Sequence, residues 1–146
     1  MEYRYYDKNM QMKQWCDVPN QSDEFRSQLY VEQHWVFCAD QNFEIAFRCC
    51  EQATKLAHNN DSAWYTKGFS LSELGRYEEA IASYDAALSI KPDFHEALNN
   101  KGVALGYLRR YEKAIAVFEQ AISITPKSPS PWYNKACFAA LSNQIE

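Results

Sequence analysis

The fold is decided by the segment Ser62-Ala-Trp-Tyr-Thr-Lys-Gly68, which recurs 34 residues later as Glu96-Ala-Leu-Asn-Asn-Lys-Gly102. The same offset places Tyr77 on Tyr111 and, at the end of the segment, Pro92 on Pro126. Self-similarity at a fixed period of 20–50 residues is the signature of a stacked repeat architecture. The sequence therefore predicts at least two complete repeat units, 61–94 and 95–128.

Each unit has the apolar spacing of two amphipathic helices. Trp64, Gly68 and Leu71 follow an i, i+4, i+7 pattern and share one helix face. A second such pattern starts at Tyr77 and runs to the closing Pro92, and proline cannot continue a helix. Small residues such as Gly68 indicate close approach of the two helices. We expect each unit to be a helical hairpin that stacks on its neighbours.

This pattern resembles the tetratricopeptide repeat family. Its signature is a large apolar residue, a glycine, a Tyr/Phe-x-x-Ala-Ile block and a closing proline, and residues 61–128 match it almost throughout. One departure is Arg109, which stands where Gly75 supplies the usual glycine between the helices. The resemblance implies an all-α, right-handed α-solenoid of helix-turn-helix repeats.

The flanking segments follow the same period less closely. Residues 27–60 are predicted to form a degenerate unit, and residues 129–146 half a unit that acts as a capping helix. Ser22 or Asp23 is expected to cap the first helix of the degenerate unit, with Phe25, Leu29 and Val36 turned inward. Residues 1–26 form an N-terminal extension. Its role is either a cap on the first repeat or an arm that binds a partner.

Composition excludes several classes of protein. The 146 residues carry a net charge of −4, which disfavours a general nucleic-acid binder. No apolar run reaches the roughly 18 residues of a membrane span. The five cysteines form no C-x-x-C pair, and the start lacks a secretory pattern, so we expect free thiols in the cytoplasm.

The motifs of common enzyme sites are absent. There is no phosphate-binding glycine loop, no dinucleotide fingerprint, no G-x-S-x-G and no H-E-x-x-H. We therefore expect a non-catalytic protein without a cofactor.

A metal- or thiol-responsive adaptor is an alternative hypothesis. His34 and Cys38 are four residues apart on one predicted helix, and Cys49 and Cys50 lie on the helix expected to pack against it. Imidazole and thiolate both bind zinc. The favoured interpretation is that these cysteines behave as small hydrophobic residues in a degenerate core.

The family resemblance implies that the first helices of the units line a concave groove for a peptide. The implied lining residues are Tyr65, Thr66, Phe69 and Glu73; Asn99, Asn100, Val103 and Tyr107; Tyr133, Asn134, Cys137 and Leu141; and, from the degenerate unit, Val31, Glu32, Trp35 and Ala39.

Asn100 and Asn134 stand at the same place in successive units. This is similar to the asparagine ladder in the repeat domain of O-linked N-acetylglucosamine transferases, and it is interrupted at Thr66. An amide can both donate to and accept from a peptide backbone. Backbone binding and plain solvation both fit this pattern.

The predicted groove is aromatic rather than cationic. The positions of the Lys and Arg side chains that hold a terminal carboxylate in chaperone-binding members carry Ser62, Glu96, Ser130 and Asn134. Three lysines recur at the 34-residue step: Lys67, Lys101 and Lys135. They could form a positive stripe for an acidic partner. We favour the interpretation that their aliphatic chains cover apolar surface while the ammonium groups remain in water.

The last predicted helix leaves apolar side chains without a following layer. Trp132, Phe138 and Leu141 are therefore candidates for a self-association edge. The preferred function is an adaptor or assembly scaffold that binds a peptide segment of a partner protein. The alternative is a regulatory or self-associating module of a larger multiprotein complex.

Overall fold

The computed structural model describes residues 21–143, and within that range the chain is all-α. The helices are α1 (Asp23–Ala39), α2 (Phe43–Leu56), α3 (Asp61–Glu73), α4 (Tyr77–Ile90), α5 (His95–Tyr107), α6 (Tyr111–Ile124) and α7 (Pro129–Asn143). The role predicted for the N-terminal extension falls mostly on residues 1–20, which lie outside the described residues.

The helices pair in chain order. α1 packs on α2, α3 on α4 and α5 on α6, while α7 packs on α6. Each hairpin also contacts the next one through α2 and α3, and through α4 and α5. This is the predicted helical solenoid, in which the apolar face of each hairpin is covered by its neighbours.

The start of α1 differs from the prediction. Ser22 caps the helix, because its Oγ accepts a hydrogen bond from the backbone N–H of Phe25 at 3.2 Å. α1 therefore begins at Asp23, inside the segment assigned to the N-terminal extension. The inward positions of Phe25 and Val36 were wrong: they are 48% and 62% exposed. Leu29 does pack against the core.

The turns within the three hairpins share one backbone conformation. Gly75 has φ of +74°, and the equivalent residues Gln41 and Arg109 have φ of +57° and +60°. This left-handed conformation suits glycine and strains a residue with a Cβ. The turn geometry is thus set by the repeat, and two hairpins hold it with a non-glycine residue.

Close helix contacts within the hairpins explain why two of these positions are occupied by glycine. A Cβ on Gly68 would lie 2.6 Å from Tyr84 Cε1, and one on Gly102 would lie 2.6 Å from Phe118 Cε1. In the first hairpin the sizes are reversed, because His34 stands at the glycine place and Cys50 at the aromatic place. In the degenerate unit the larger residue of this pair of places is therefore on the first helix rather than the second.

The buried side chains form a continuous series of clusters along the stack. One lies around Tyr30 and Phe37 in the first hairpin, one around Leu71 and Tyr84, and one around Phe118. Within residues 21–143, no helix combines the length and the apolar character needed to cross a lipid bilayer.

Candidate functional site: the inner face

The helices that open the four repeat units, α1, α3, α5 and α7, lie side by side, each in contact with the next. We call the surface that they share the inner face. It is the surface on which the family resemblance places a groove. Two depressions in it bring together most of the predicted residues of α3, α5 and α7.

The first depression, which we call the α3–α5 pocket, has a volume of about 280 Å³. Its predicted lining residues are Phe69, Glu73, Asn100, Val103 and Tyr107. It is completed by four residues that were not predicted: Ser72, Tyr77, Tyr84 and Ala104. Tyr77 begins the second helix of its hairpin, so a search along the faces of the first helices could not find it.

Aromatic rings build the wall and floor of this pocket. Tyr77 and Tyr107 stack with ring centroids 4.8 Å apart and planes 8° from parallel, and Tyr107 remains 63% exposed. Tyr84 is fully buried, and its Oη lies 3.2 Å from Ser72 Oγ. Burial raises the pKa of Tyr84, so the floor of the pocket is neutral at physiological pH.

The second depression, of about 570 Å³, lies between α5 and α7 and adjoins the first. We call it the α5–α7 depression. Asn100 and Val103 line both. The other lining residues are Asn99, Pro129, Ser130, Tyr133 and Asn134. Tyr133 is the most prominent of them, because 71% of its surface is exposed.

A repeated hydrogen bond links successive units across the inner face. Asn100 Nδ2 donates to Tyr65 Oη at 3.2 Å, and one unit later Asn134 Nδ2 donates to Asn99 Oδ1 at 3.0 Å. In both cases an asparagine at the sixth place of a unit bonds to the fifth residue of the unit before it. These contacts fix the orientation of the two amides.

The same rule explains why the asparagine series stops at Thr66. The fifth residue of the preceding unit is Val31, which offers no hydrogen-bonding side chain and is itself buried. Thr66 bonds within its own helix instead, donating to the carbonyl oxygens of Ser62 and Ala63. Because Thr66 is only 1% exposed, its predicted place in the groove was wrong.

Aromatic contacts extend the inner face toward α1 and across α3. Trp35 is 44% exposed, and the centroid of its ring lies 5.4 Å from that of Phe69. Tyr65 packs its ring 4.8 Å from that of Phe94, and burial raises the pKa of Tyr65. Toward α7, the half-buried Cys137 contacts Tyr133 and raises the pKa of its phenol.

The predicted edge on α7 is only partly exposed. Trp132 and Leu141 are 50% and 42% exposed. Phe138 faces the other way: its ring stacks on Phe118 at 5.9 Å and fills the space beside Gly106, so its assignment to the edge was wrong. Self-association through the remaining residues stays a prediction.

The residues of the alternative metal site form hydrogen-bond contacts in the protein interior. His34 Nε2 lies 2.9 Å from Ser70 Oγ and 3.2 Å from Cys38 Sγ, while Cys50 donates to Thr66 Oγ1 at 3.4 Å. Burial lowers the pKa of His34 to about 4 and raises the pKa of Cys38 to about 11 and that of Cys50 to about 12. These groups are neutral at pH 7.

Cys49 lies in the apolar cluster of the first hairpin. Among residues 21–143, no three His, Cys, Asp or Glu side chains come together in a way that could hold a metal ion. A thiol with a raised pKa is also a poor nucleophile, since the thiolate is the reactive form. The thiols of Cys38 and Cys50 have the properties of core residues.

The recurrent lysines form no positive stripe on the inner face. Lys101 Nζ lies 2.6 Å from Asp85 Oδ1, and Lys135 Nζ lies 2.8 Å from Glu119 Oε1, so both bond to the second helix of the preceding unit. Lys67 extends over the rings of Trp64 and Phe47.

Residues 65–129 match the model of the tetratricopeptide repeat (TPR) family. These residues carry tetratricopeptide repeats. The Arabidopsis OM64 TPR domain superposes with a TM-score of 0.77 at 20% identity, covering 80% of this chain and 97% of that domain. The first TPR of Spaghetti (RPAP3), bound to the HSP90 peptide SRMEEVD, gives a TM-score of 0.79 at 14% identity and covers 84% and 98%.

Curated relatives share part of this repeat region. The peroxisomal targeting signal receptor of Candida glabrata is 37% identical over 65 residues, which are 44% of this chain and 11% of the receptor. That of Saccharomyces cerevisiae is 30% identical over 88 residues, which are 60% of this chain and 14% of the receptor. The chain therefore spans a small fraction of the length of the relatives that it matches.

Proposed function

We propose that this chain is a non-catalytic adaptor that binds an extended peptide segment of a partner protein on its inner face. The observation that carries the proposal is the pair of adjoining depressions that meet at Asn100 and Val103. Together they offer aromatic contact area beside oriented amides. Exposed aromatic rings of this kind are the residues that most often dominate protein interfaces.

The relatives support a peptide ligand. Two TPR domains of similar fold are described in complex with HSP70 and HSP90 peptides, and the curated relatives are named as receptors of a targeting signal. The HSP90 peptide SRMEEVD ends in acidic residues. The inner face of this chain lacks a matching set of lysines and arginines, so we propose a partner segment of different chemistry.

Tyr107 and Tyr133 supply contact area, and the amides of Asn100 and Asn134 bind the peptide backbone. Asn134 uses one N–H for its bond to the preceding unit, which leaves a second N–H and its carbonyl oxygen for a ligand. Asn100 donates to Tyr65 and accepts from Asn99 Nδ2 at 3.5 Å, so its carbonyl oxygen offers a ligand one remaining lone pair. Because the amides are already oriented, binding costs less conformational entropy than ordering free side chains. Backbone contacts of this type accept many side chains, and the pockets between them supply selectivity.

We further propose that the adaptor acts in the cytoplasm as part of a larger assembly. Its proposed ligand is a protein segment rather than nucleic acid or membrane. Its acidic net charge of −4 accords with the absence of a nucleic-acid role. Self-association through Trp132 and Leu141 remains a second way in which such a module can join an assembly.

Selection from a displayed random peptide library tests the proposal on the full chain. Recovered peptides are synthesised, and their Kd is measured for the wild type and for Tyr107→Ala/Tyr133→Ala. The matched control is Ile90→Ala/Ile124→Ala, which removes two exposed apolar side chains from the ends of α4 and α6. We expect the inner-face variant to weaken binding at least roughly tenfold, as truncation of interface hot spots does, and the control to bind like wild type.

Recovered peptides that bind both variants equally would contradict the inner-face site. Failure to recover any peptide that binds specifically would contradict the adaptor function itself. Circular dichroism of both variants confirms that the fold is retained.

A further inference from the structure

Building on the proposed function, we propose that the α3–α5 pocket takes the cationic side chain of a lysine or arginine in the bound peptide. The pocket combines an exposed aromatic wall with a single carboxylate, that of Glu73. Its volume of about 280 Å³ lies just below the range of sites for drug-sized ligands, so it suits one long side chain.

The first support is the charge of the inner face. Glu73 is the charged member of the pocket lining, and no cationic side chain lies within ion-pair distance of it among residues 21–143. The other charged residues at inner-face places of the units, Glu32 and Glu96, are also acidic. An incoming cation therefore meets a field of one sign.

The field of Glu73 reaches into the pocket. Burial is the main reason that the pKa values of Tyr84, which forms the pocket floor, and of Cys38 on the neighbouring α1 are raised, and the negative charge of Glu73 raises both further. A positive charge placed between Glu73 and the floor would interact favourably with the same carboxylate.

The second support is the geometry of the aromatic wall. Tyr77 and Tyr107 are stacked nearly parallel, which holds the exposed ring of Tyr107 in one orientation beside Phe69. A cation within about 6 Å of a ring centroid is attracted by the electron-rich face. A rigid ring offers this attraction with little loss of side-chain entropy on binding.

The chain uses the same chemistry elsewhere with its own cations. Lys67 Nζ lies 5.3 Å from the ring centroid of Trp64, and Lys91 Nζ lies 4.9 Å from that of Phe94. Arg76 Cζ lies 4.8 Å from the ring centroid of Phe47. These cations are on other surfaces, and none of them lines the α3–α5 pocket.

Arg76 at the α3–α4 turn and Arg110 at the α5–α6 turn are both paired with carboxylates outside the pocket. Arg110 makes a two-pronged contact with Glu78, and Arg76 makes one with Glu79. They are therefore held away from Glu73 by their own carboxylate partners.

The pairing of a carboxylate with an exposed tyrosine is not repeated in the next unit of the described stack. One unit later, the place of Glu73 is taken by Tyr107 and the place of Tyr107 by Leu141. The α5–α7 depression accordingly has no charged side chain in its lining. We therefore expect a basic side chain at one position of the bound peptide, in the α3–α5 pocket. The adjoining α5–α7 depression is expected to bind an uncharged side chain.

The experiment uses peptides selected on the full chain from a random library. We expect lysine or arginine to be enriched at one fixed position. In a synthetic peptide, replacing that residue by norleucine, which keeps the length but removes the charge, weakens binding roughly tenfold for the wild type at low ionic strength. Glu73→Gln removes most of this difference, while Glu112→Gln, an exposed carboxylate on α6, leaves it unchanged.

Charge reversal gives a second measurement. Selection on Glu73→Lys is expected to enrich glutamate or aspartate at the same position. Selected peptides that show no basic preference, or whose affinity is the same for wild type and Glu73→Gln, overturn the cation pocket while leaving the adaptor function standing. Peptides insensitive to Tyr107→Ala/Tyr133→Ala overturn the inner-face site as well, and failure to select any peptide overturns the adaptor function.

Discussion

Asn134 Nδ2 donates a hydrogen bond to Asn99 Oδ1 across 3.0 Å, joining α7 to α5 on the inner face. Both side chains are half-buried, and the bond repeats the one that Asn100 makes to Tyr65 in the unit before. The candidate ligand-binding amides are therefore also contacts that hold neighbouring units in register. Stability and binding share these residues.

Asn134→Ala is expected to lower the free energy of unfolding by about 1 kcal/mol, the usual net value of one hydrogen bond. Urea denaturation of Asn99→Ala, Asn134→Ala and the double variant measures the pair. We expect a coupling energy of about 0.5 to 1.5 kcal/mol. Additive losses would show that the bond contributes nothing.

Gly68→Ala is expected to destabilise the protein although alanine is the better helix former. The new Cβ would lie 2.6 Å from Cε1 of the fully buried Tyr84, and Ser72 holds the Tyr84 hydroxyl in place. Overpacking costs about 1 to 3 kcal/mol, which exceeds the helix-propensity gain of about 1 kcal/mol.

A double-mutant cycle separates the two contributions to the Gly68→Ala effect. In a Tyr84→Leu background the clash is relieved, so the same substitution becomes neutral or stabilising. An equal cost in both backgrounds, measured by denaturant titration, would contradict the packing explanation.

Arg109→Gly is expected to stabilise the third hairpin. Arg109 has φ of +60° and is exposed, so the substitution relieves backbone strain without removing a buried contact. We expect a gain of about 1 kcal/mol in the free energy of unfolding. Gly75→Ala, at the equivalent place with φ of +74° and open space around its Cβ, is the matched control and should lose a similar amount. A loss of stability in Arg109→Gly, or no loss in Gly75→Ala, would contradict the strain argument.

His34 is expected to make stability depend on pH. Burial lowers its pKa from 6.5 to about 4, so the unfolded chain binds more protons than the folded chain between those values. The contribution is complete above pH 6.5 and is lost as the pH falls through 4, amounting to about 3 kcal/mol.

His34→Gln should remove this loss, so its unfolding free energy falls by about 3 kcal/mol less than that of wild type between pH 7 and pH 4. His58→Gln, at an exposed histidine, is the control and should follow the wild-type curve. Parallel curves for wild type and His34→Gln would show that the buried imidazole is not the source.

The repeat period made much of the fold predictable from sequence. In two hairpins a glycine packs directly against an aromatic ring, Gly68 against Tyr84 and Gly102 against Phe118. The spacing of these residues in the sequence therefore predicts how the two helices of each hairpin pack. The first hairpin was harder, because His34 and Cys50 occupy the equivalent places there. There the inward face was assigned from apolar residues alone, which misplaced Phe25 and Val36.

The site was less predictable because it depends on contacts between units. Thr66 and Asn100 occupy equivalent places, but only Asn100 has a hydrogen-bonding residue opposite it in the preceding unit. Tyr77 enters the pocket from a second helix, and Phe138 turns toward the space beside Gly106. Comparing the fifth residue of each unit with the sixth residue of the next would have found where the asparagine series stops.

Chemical-shift mapping of the full chain with a library-selected peptide tests peptide binding on the inner face most directly. Titration into ¹⁵N-labelled protein is expected to shift the backbone amide signals of Phe69, Asn100, Val103 and Tyr133 and the side-chain amide signal of Asn100. Little change is expected in the outer helices α4 and α6 beyond Tyr77. Saturable shifts confined to α4, α6 or the exposed edge at Trp132 and Leu141, with the inner face unmoved, would contradict it.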